Sequence, residues 1–206
     1  MDHLLTRARR APLERALDAC FALTVFAWAI TSLVHQRDRP LAVGLALSLV
    51  NAVVGVLFLV RGAPIDPGGV GELARALPSI LASGLAYRLS MHDWPIALVV
   101  AHAVCACFAI VSLVALGSSF AVLPSRRTLV ARGPYRIVRN PIYLGELGMI
   151  VTACATRGVL SAIAALVVMS ALLAPRILAE ERVLAADHAF AAYRSRVRYR
   201  LLPGVF

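Results

Sequence analysis

The sequence predicts an all-α protein embedded in a membrane, and three observations carry that prediction. Apolar residues make up 60% of the 206-residue chain, and its mean hydropathy is +0.80. Several apolar runs approach or exceed the roughly 20 residues that cross a bilayer as a helix. The glycine-rich strand–turn–helix signal of a Rossmann sheet is missing from the chain.

The expected spans follow in chain order. Ala16–Val34 is the first and Leu41–Val60 the second, with Pro40 suited to a helix start. Leu73–Leu89 is weaker, because Glu72, Arg75 and Pro78 interrupt it and Gly84 loosens it. Pro95–Leu116 is long and uniform, and Pro95 again suits a first turn. Ile142–Thr156 and Val159–Leu178 form a last helical hairpin around a tight Arg157–Gly158 turn. Six transmembrane helices result, or five if Leu73–Leu89 is re-entrant. The glycines and prolines of 61–69 read as a plain connector. The first apolar run is span-length and lacks a small-residue cleavage site, which argues against a signal peptide.

Charge sets the expected orientation. All 21 basic residues are arginine. With six spans and a cytoplasmic N-terminus, the inside segments 1–15, 61–75, 117–141 and 176–206 hold 17 of the 21. Arg37, Arg39, Arg88 and Arg157 fall outside, as the positive-inside rule requires. Both termini are therefore expected in the cytoplasm. The absence of lysine and the high alanine content point to a bacterial inner membrane. The net charge of +10 fits attraction to anionic lipid headgroups. No nucleic-acid-binding motif accompanies it, so nucleic acid is not an expected partner.

Cys20, Cys105, Cys107 and Cys154 all lie in expected spans, where thiols behave as small apolar side chains. His102 and Cys105 share a helix face, but Cys107 points elsewhere and no fourth ligand is near. A helix-packing cluster is the better reading, and no metal is expected.

The chain divides by character. Residues 1–116 supply spans and short loops, while 117–206 carry a constellation of polar groups and read as one unit. In Gly133-Pro134-Tyr135-Arg136-Ile137-Val138-Arg139-Asn140-Pro141-Ile142-Tyr143, two prolines hold the backbone extended around Ile137-Val138. Pro141 suits a helix first turn, where free N–H groups favour an anion. Arg139, Asn140, that helix start and Tyr143 together look like a holder for a carboxylate or phosphate. Arg139 snorkelling to lipid phosphates, with Tyr135 and Tyr143 as interfacial anchors, is the plainer alternative. Pro175 is expected to kink the last span or mark its mouth. The tail beyond it is helix-compatible to about Val197 and reads as an amphipathic surface helix. Glu180 and Glu181 sit at the end of that span, pairing with Arg176 and with Arg182 or Arg194 if their role is only structural. Successive helical residues differ by about 100°, so one pocket faces at most one of the two.

Taken together, these residues resemble a known family. Gly133-Pro134-Tyr135, Val138-Arg139-Asn140-Pro141-x-Tyr143-Leu144-Gly145, a helical hairpin, Glu180-Glu181-Arg182-x-Leu184, Phe190-x-x-Tyr193 and Arg200-Leu201-Leu202-Pro203 occur in this order. The succession is similar to the isoprenylcysteine carboxyl methyltransferase and phospholipid methyltransferase group of integral membrane enzymes. Gly117-x-Ser119-Phe120 and Leu123-Pro124 resemble its bacterial members. The likeness covers about 90 residues, from Leu116 to the end.

What the resemblance implies is a methyltransferase that uses S-adenosylmethionine and releases S-adenosylhomocysteine. Its cofactor site would comprise Gly133, Tyr135, Arg139, Asn140, Pro141, Tyr143, Leu144, Glu180, Glu181, Tyr193, Leu202 and Pro203. Arg139, Glu181 and Arg200 would be its catalytic residues. The acceptor it implies is lipophilic: the carboxylate of an isoprenylcysteine-like substrate first, a phospholipid amine second. One departure stands out, because the family's usual Arg-His-Pro is Arg139-Asn140-Pro141 here. Asn donates through its amide but does not titrate, so it can hold a carboxylate and cannot transfer a proton. Tyr143-x-Gly145-Glu146 also resembles an element of NADPH-dependent membrane sterol reductases, a competing reading. A non-enzymatic membrane protein of the same fold is another.

Overall fold

Three prolines open three of the helices. Pro40 and Pro95 precede the first turn with φ of −57° and −53°, and their carbonyls accept from Gly44 N at 3.2 Å and Val99 N at 3.1 Å. Pro141 is itself the first helical residue, where a missing N–H costs nothing. The computed structural model describes residues 2–34, 39–61, 78–79, 81–87, 93–120 and 129–204, with side chains from residue 15 onward. The helices are α1 (Asp2–Val34), α2 (Leu41–Val60), α3 (Ile96–Leu116), α4 (Pro141–Ala155), α5 (Val159–Leu184) and α6 (His188–Arg196). Gly117–Ser119 and Gly133–Arg136 form 3-10 turns, and 81–87 is a further helical stretch. No strand occurs among the described residues.

Among the described residues, four helices are long and apolar enough to cross a membrane: Arg15–Val34 within α1, α2, Ile96–Ser119 and α5. The chain is an integral, multi-pass, all-α membrane protein. Their outward faces are apolar, with Leu23, Leu49, Val104 and Leu160 all exposed, as residues against lipid are. α4 is apolar but only 15 residues long, short of the usual span. The expected span Leu73–Leu89 lies largely outside the described residues, as do most of the connector 61–69 and the pair Leu123-Pro124.

Several boundaries differ from expectation. α1 begins at Asp2, well before Ala16, so the first span is the apolar part of a longer helix. α5 continues through Pro175 to Leu184 and does not stop at Leu178. The tail then breaks where one continuous helix was expected. Asp187 accepts from Ala189 N at 2.9 Å, capping α6 after the turn at 185–187.

Packing places the site. α4 lies close against α3, where a Cβ on Gly145 would sit 3.0 Å from the backbone of Ala109. Met149 and Ala153 of α4 join a core with Val43, Ala46 and Leu47 of α2 and Ala106 and Ala109 of α3. Tyr143, Leu147 and Ile150 of α4 form another with Met169, Leu173 and Ile177 of α5, closed by Leu201 from the tail. Gly158 joins these two helices at φ +110°, a conformation that disfavours side chains. Phe190, Tyr193 and Val197 pack with Leu184 and Leu129, fixing α6 against the loop before α4. His102 is fully buried within the helices, with Nδ1 2.9 Å from Thr152 Oγ1, while Cys107 is exposed.

Candidate functional site

The loop ahead of α4 is shaped by its own residues. Gly133 takes φ +57°, a left-handed conformation open to glycine, and with Pro134 it opens the 3-10 turn in which Tyr135 is buried. Arg132 Nε donates to Ala115 O at 3.0 Å and ties the loop to the end of α3. Residues 139–140 then pair with the tail. Arg139 N donates to Tyr199 O and Asn140 N to Arg200 O, both at 2.9 Å. We call residues 197–202 the strap.

Arg139 fastens the strap from inside. Its side chain is only 5% exposed. Nη1 donates to Val197 O and to Arg198 O, both at 2.8 Å, while Nε donates to Glu181 Oε1 at 2.7 Å. Arg200 Nε donates to the other oxygen, Glu181 Oε2, at 3.0 Å. Glu181 thus joins two guanidiniums, Arg139 from the loop and Arg200 from the strap. Asn140 Nδ2 adds a longer bond to Arg200 O at 3.3 Å. Tyr193 closes the set from α6 by donating to the carbonyl of Tyr135 at 2.8 Å. Its phenol is pushed up to about 12 by burial, opposed by the charge of Arg139 and reinforced by Glu181. Burial also raises the Tyr135 phenol, with Glu180 and Tyr193 adding to it.

Glu180 faces a different way. Tyr143 donates its hydroxyl to Glu180 Oε1, and Arg176 Nε stands 3.9 Å from that oxygen, one helical turn back. The Arg176 guanidinium also lies over the Tyr143 ring at 4.8 Å, and its Nη1 donates to Ser79 Oγ at 3.2 Å. The second oxygen of Glu180 has no hydrogen-bond partner among the described residues, and its side chain is 24% exposed. Two adjacent glutamates therefore serve two networks, one at the strap and one inside the helices.

The structure brings Arg139, Asn140, Glu181 and Arg200 into one hydrogen-bonded group, and Tyr143 and Glu180 into the neighbouring one. Gly133, Tyr135 and Tyr193 line the loop side, and Pro141 and Leu144 form the first turn of α4. Leu202, the exposed end of the strap, is followed by the exposed Pro203. The structural pairing expected with Arg176 occurs at Glu180, whereas Glu181 pairs with Arg139 and Arg200 and with neither Arg182 nor Arg194. Sequence reasoning did not anticipate Ser79 and Ser83 as polar partners. Ser83 lies 2.7 Å from Glu146 Oε1, and Glu146 sits within a helix whose neighbours are apolar. A carboxylate five residues into an apolar helix was the available signal, and it pointed toward a reductase instead.

No curated protein matches the chain. The family described as phospholipid methyltransferase matches residues 91–189, a stretch that holds Arg139, Asn140, Tyr143, Glu180 and Glu181 and stops before Tyr193 and the strap. Across α3, the loop, α4 and α5, then, the chain is similar to the phospholipid methyltransferases.

Proposed function

We propose that the protein is a membrane methyltransferase that draws on S-adenosylmethionine and methylates a lipophilic acceptor. The observation that carries this reading is the pair of adjoining networks at the start of α4: Arg139, Glu181 and Arg200 with the strap, and Tyr143, Glu180 and Arg176 beside them. The donor set suits an amino-acid-like sulfonium. Glu180 has an oxygen to offer an ammonium or sulfonium. Arg200, with a side chain 25% exposed, and the first-turn N–H groups of Ile142 and Tyr143 suit a carboxylate.

When bound, the donor supplies an electrophilic methyl carbon, and in-line displacement there depends mainly on positioning. The residues divide that work. Arg139 and Glu181 act as positioning residues, holding Arg200 and the strap in place. Asn140 holds the Arg200 carbonyl, which suits a residue that does not titrate. Gly133, Tyr135, Pro141, Leu144, Tyr193, Leu202 and Pro203 complete the walls. Residues 117–206 work as the cofactor-binding unit, supported by the helices of 1–116, with both termini cytoplasmic.

Two acceptor heads are compatible with this chemistry. An isoprenylcysteine-like carboxylate, the one the sequence resemblance implies, is already ionised and needs no base. A lipid amine is the second, favoured by the phospholipid methyltransferase match over residues 91–189.

Calorimetry on the purified protein tests the cofactor. S-adenosylhomocysteine is expected to bind, and Glu180→Gln to weaken it about tenfold or more by removing a charge-assisted contact. Binding of NADPH with none of S-adenosylhomocysteine would overturn the reading in favour of a reductase. Transfer of a tritiated methyl group to N-acetyl farnesylcysteine or to phosphatidylethanolamine then separates the two acceptor heads.

A further inference from the structure

The loop ahead of α4, α6 and the strap carry exposed groups that their buried contacts do not use. Arg136 on the loop, Arg194 on α6 and Arg198 on the strap are exposed, and none pairs with a carboxylate among the described residues. The carboxylates nearest in sequence are already engaged. Glu180 and Glu181 serve the two buried networks, and Asp187 caps α6. Ile137, Tyr199 and Leu202, also exposed, place large apolar and aromatic groups next to or near these arginines in the chain.

The segments that carry them run side by side. The Tyr193 hydroxyl donates to Tyr135 O, Arg139 N to Tyr199 O and Asn140 N to Arg200 O, so 135–140 tracks 193–200. One of the three arginines therefore belongs to the loop, and two belong to the chain that closes on it. α4 fixes their level in the bilayer. It is apolar and opens at Pro141, so residues just ahead of it stand where a helix leaves the hydrocarbon, among the headgroups. Arginine at that level meets lipid phosphates, and tyrosine suits the same interface. Cations without counter-charges, interleaved with apolar side chains, complement an anionic lipid surface. Phosphate in water would match the charge alone and leave the apolar groups uncovered.

We propose that this surface binds anionic lipid headgroups and that those headgroups latch the strap. The headgroups bridge Arg136 to Arg194 and Arg198 only while loop and strap are paired. They therefore bind the closed arrangement more tightly and shift the population toward it. Strap closure thereby answers to the charge of the bilayer whatever reaction the site performs. General attraction of a +10 chain to a membrane would not couple the two.

Hydrogen exchange on the full chain in lipid nanodiscs reads the latch directly, because the Arg139 and Asn140 amides are themselves donors to the strap. Replacing half of the phosphatidylcholine by phosphatidylglycerol is expected to slow exchange at both amides by about tenfold. Each arginine at an anionic surface is worth roughly a fivefold preference. Amides along α4 beyond its first turn should stay as they were. Arg136→Gln combined with Arg198→Gln is expected to remove most of the slowing. Loop and strap still pair in that variant, since the bonds between them run to backbone carbonyls. Arg15→Gln combined with Arg182→Gln lowers the net charge equally and should keep the slowing. Equal exchange in the two nanodiscs, or equal slowing along α4, overturns the proposal. So does slowing that survives the first pair of substitutions or vanishes with the second. Inorganic phosphate reproducing the effect in phosphatidylcholine alone would overturn it in favour of a soluble-anion site.

Discussion

Arg139 spends three donors on the strap and its anchor, and that geometry makes it hard to replace. A lysine offers one compact ammonium and cannot reach Glu181 and two carbonyls in a fixed fork. Arg139→Lys is expected to lose at least one charge-assisted bond, about 1.5–3 kcal/mol of strap closure. Faster hydrogen exchange across 197–201 is the measurement. Glu181→Ala leaves a buried guanidinium without its carboxylate, and the larger loss, about 3–5 kcal/mol, should register in thermal unfolding. Asn140→His is expected to bind S-adenosylhomocysteine as the parent does, because an imidazole N–H can also donate to Arg200 O. Tyr193 adds a pH response. Its raised phenol contributes stability that is complete below about pH 10, the unfolded value, and is lost as pH climbs through about 12. Tyr193→Phe should abolish that alkaline step in strap exchange. At this scale the sequence was informative about which residues meet and poor about what they do. Arg139 and Glu181 stood out as site residues, but only the fold reveals that two of the three Arg139 donors used here go to backbone carbonyls. No side-chain pattern records a carbonyl that comes from 58 positions away.

Among the elements, the approach of α3 and α4 governs where the N-terminal turn of α4 ends up. A methyl group on Gly145 would meet the Ala109 backbone at 3.0 Å, which cannot step aside. On Gly148 it would meet chiefly the Cys105 sulfur, a side-chain atom that can rotate. Gly145→Ala is therefore expected to cost about 1–3 kcal/mol through overpacking, and Gly148→Ala less. Thermal unfolding in detergent orders the two. The spans at Leu41–Val60 and 96–116 were legible because each is long, uniformly apolar and opened by a proline. The break in the tail was not, since its Ala- and Leu-rich residues favour helix throughout. Only the capping carboxylate of Asp187 marks the new start, and Asp also occurs on helix surfaces.

For the molecule as a whole, orientation is the property that arginine placement decides. A cysteine at Arg157 should react with a membrane-impermeant thiol reagent on intact cells, and one at Arg196 only after permeabilisation. Labelling of both from the same side would require a different span count. Hydropathy could supply the helices and their order, because a bilayer leaves the backbone few alternatives. It could not supply the strap, which is held from a distance of more than fifty residues by polar contacts. Those contacts carry a constraint of a different kind. Arg139 grips the oxygens of Val197 and Arg198, and residues 139 and 140 bond the carbonyls of Tyr199 and Arg200. Every residue type has such an oxygen, so what this grip measures is spacing, counted in peptide units. The stretch between α6 and Arg200 should accept changes of side chain at its exposed positions yet reject the insertion or loss of a single residue, like a ruler indifferent to the colour of its marks.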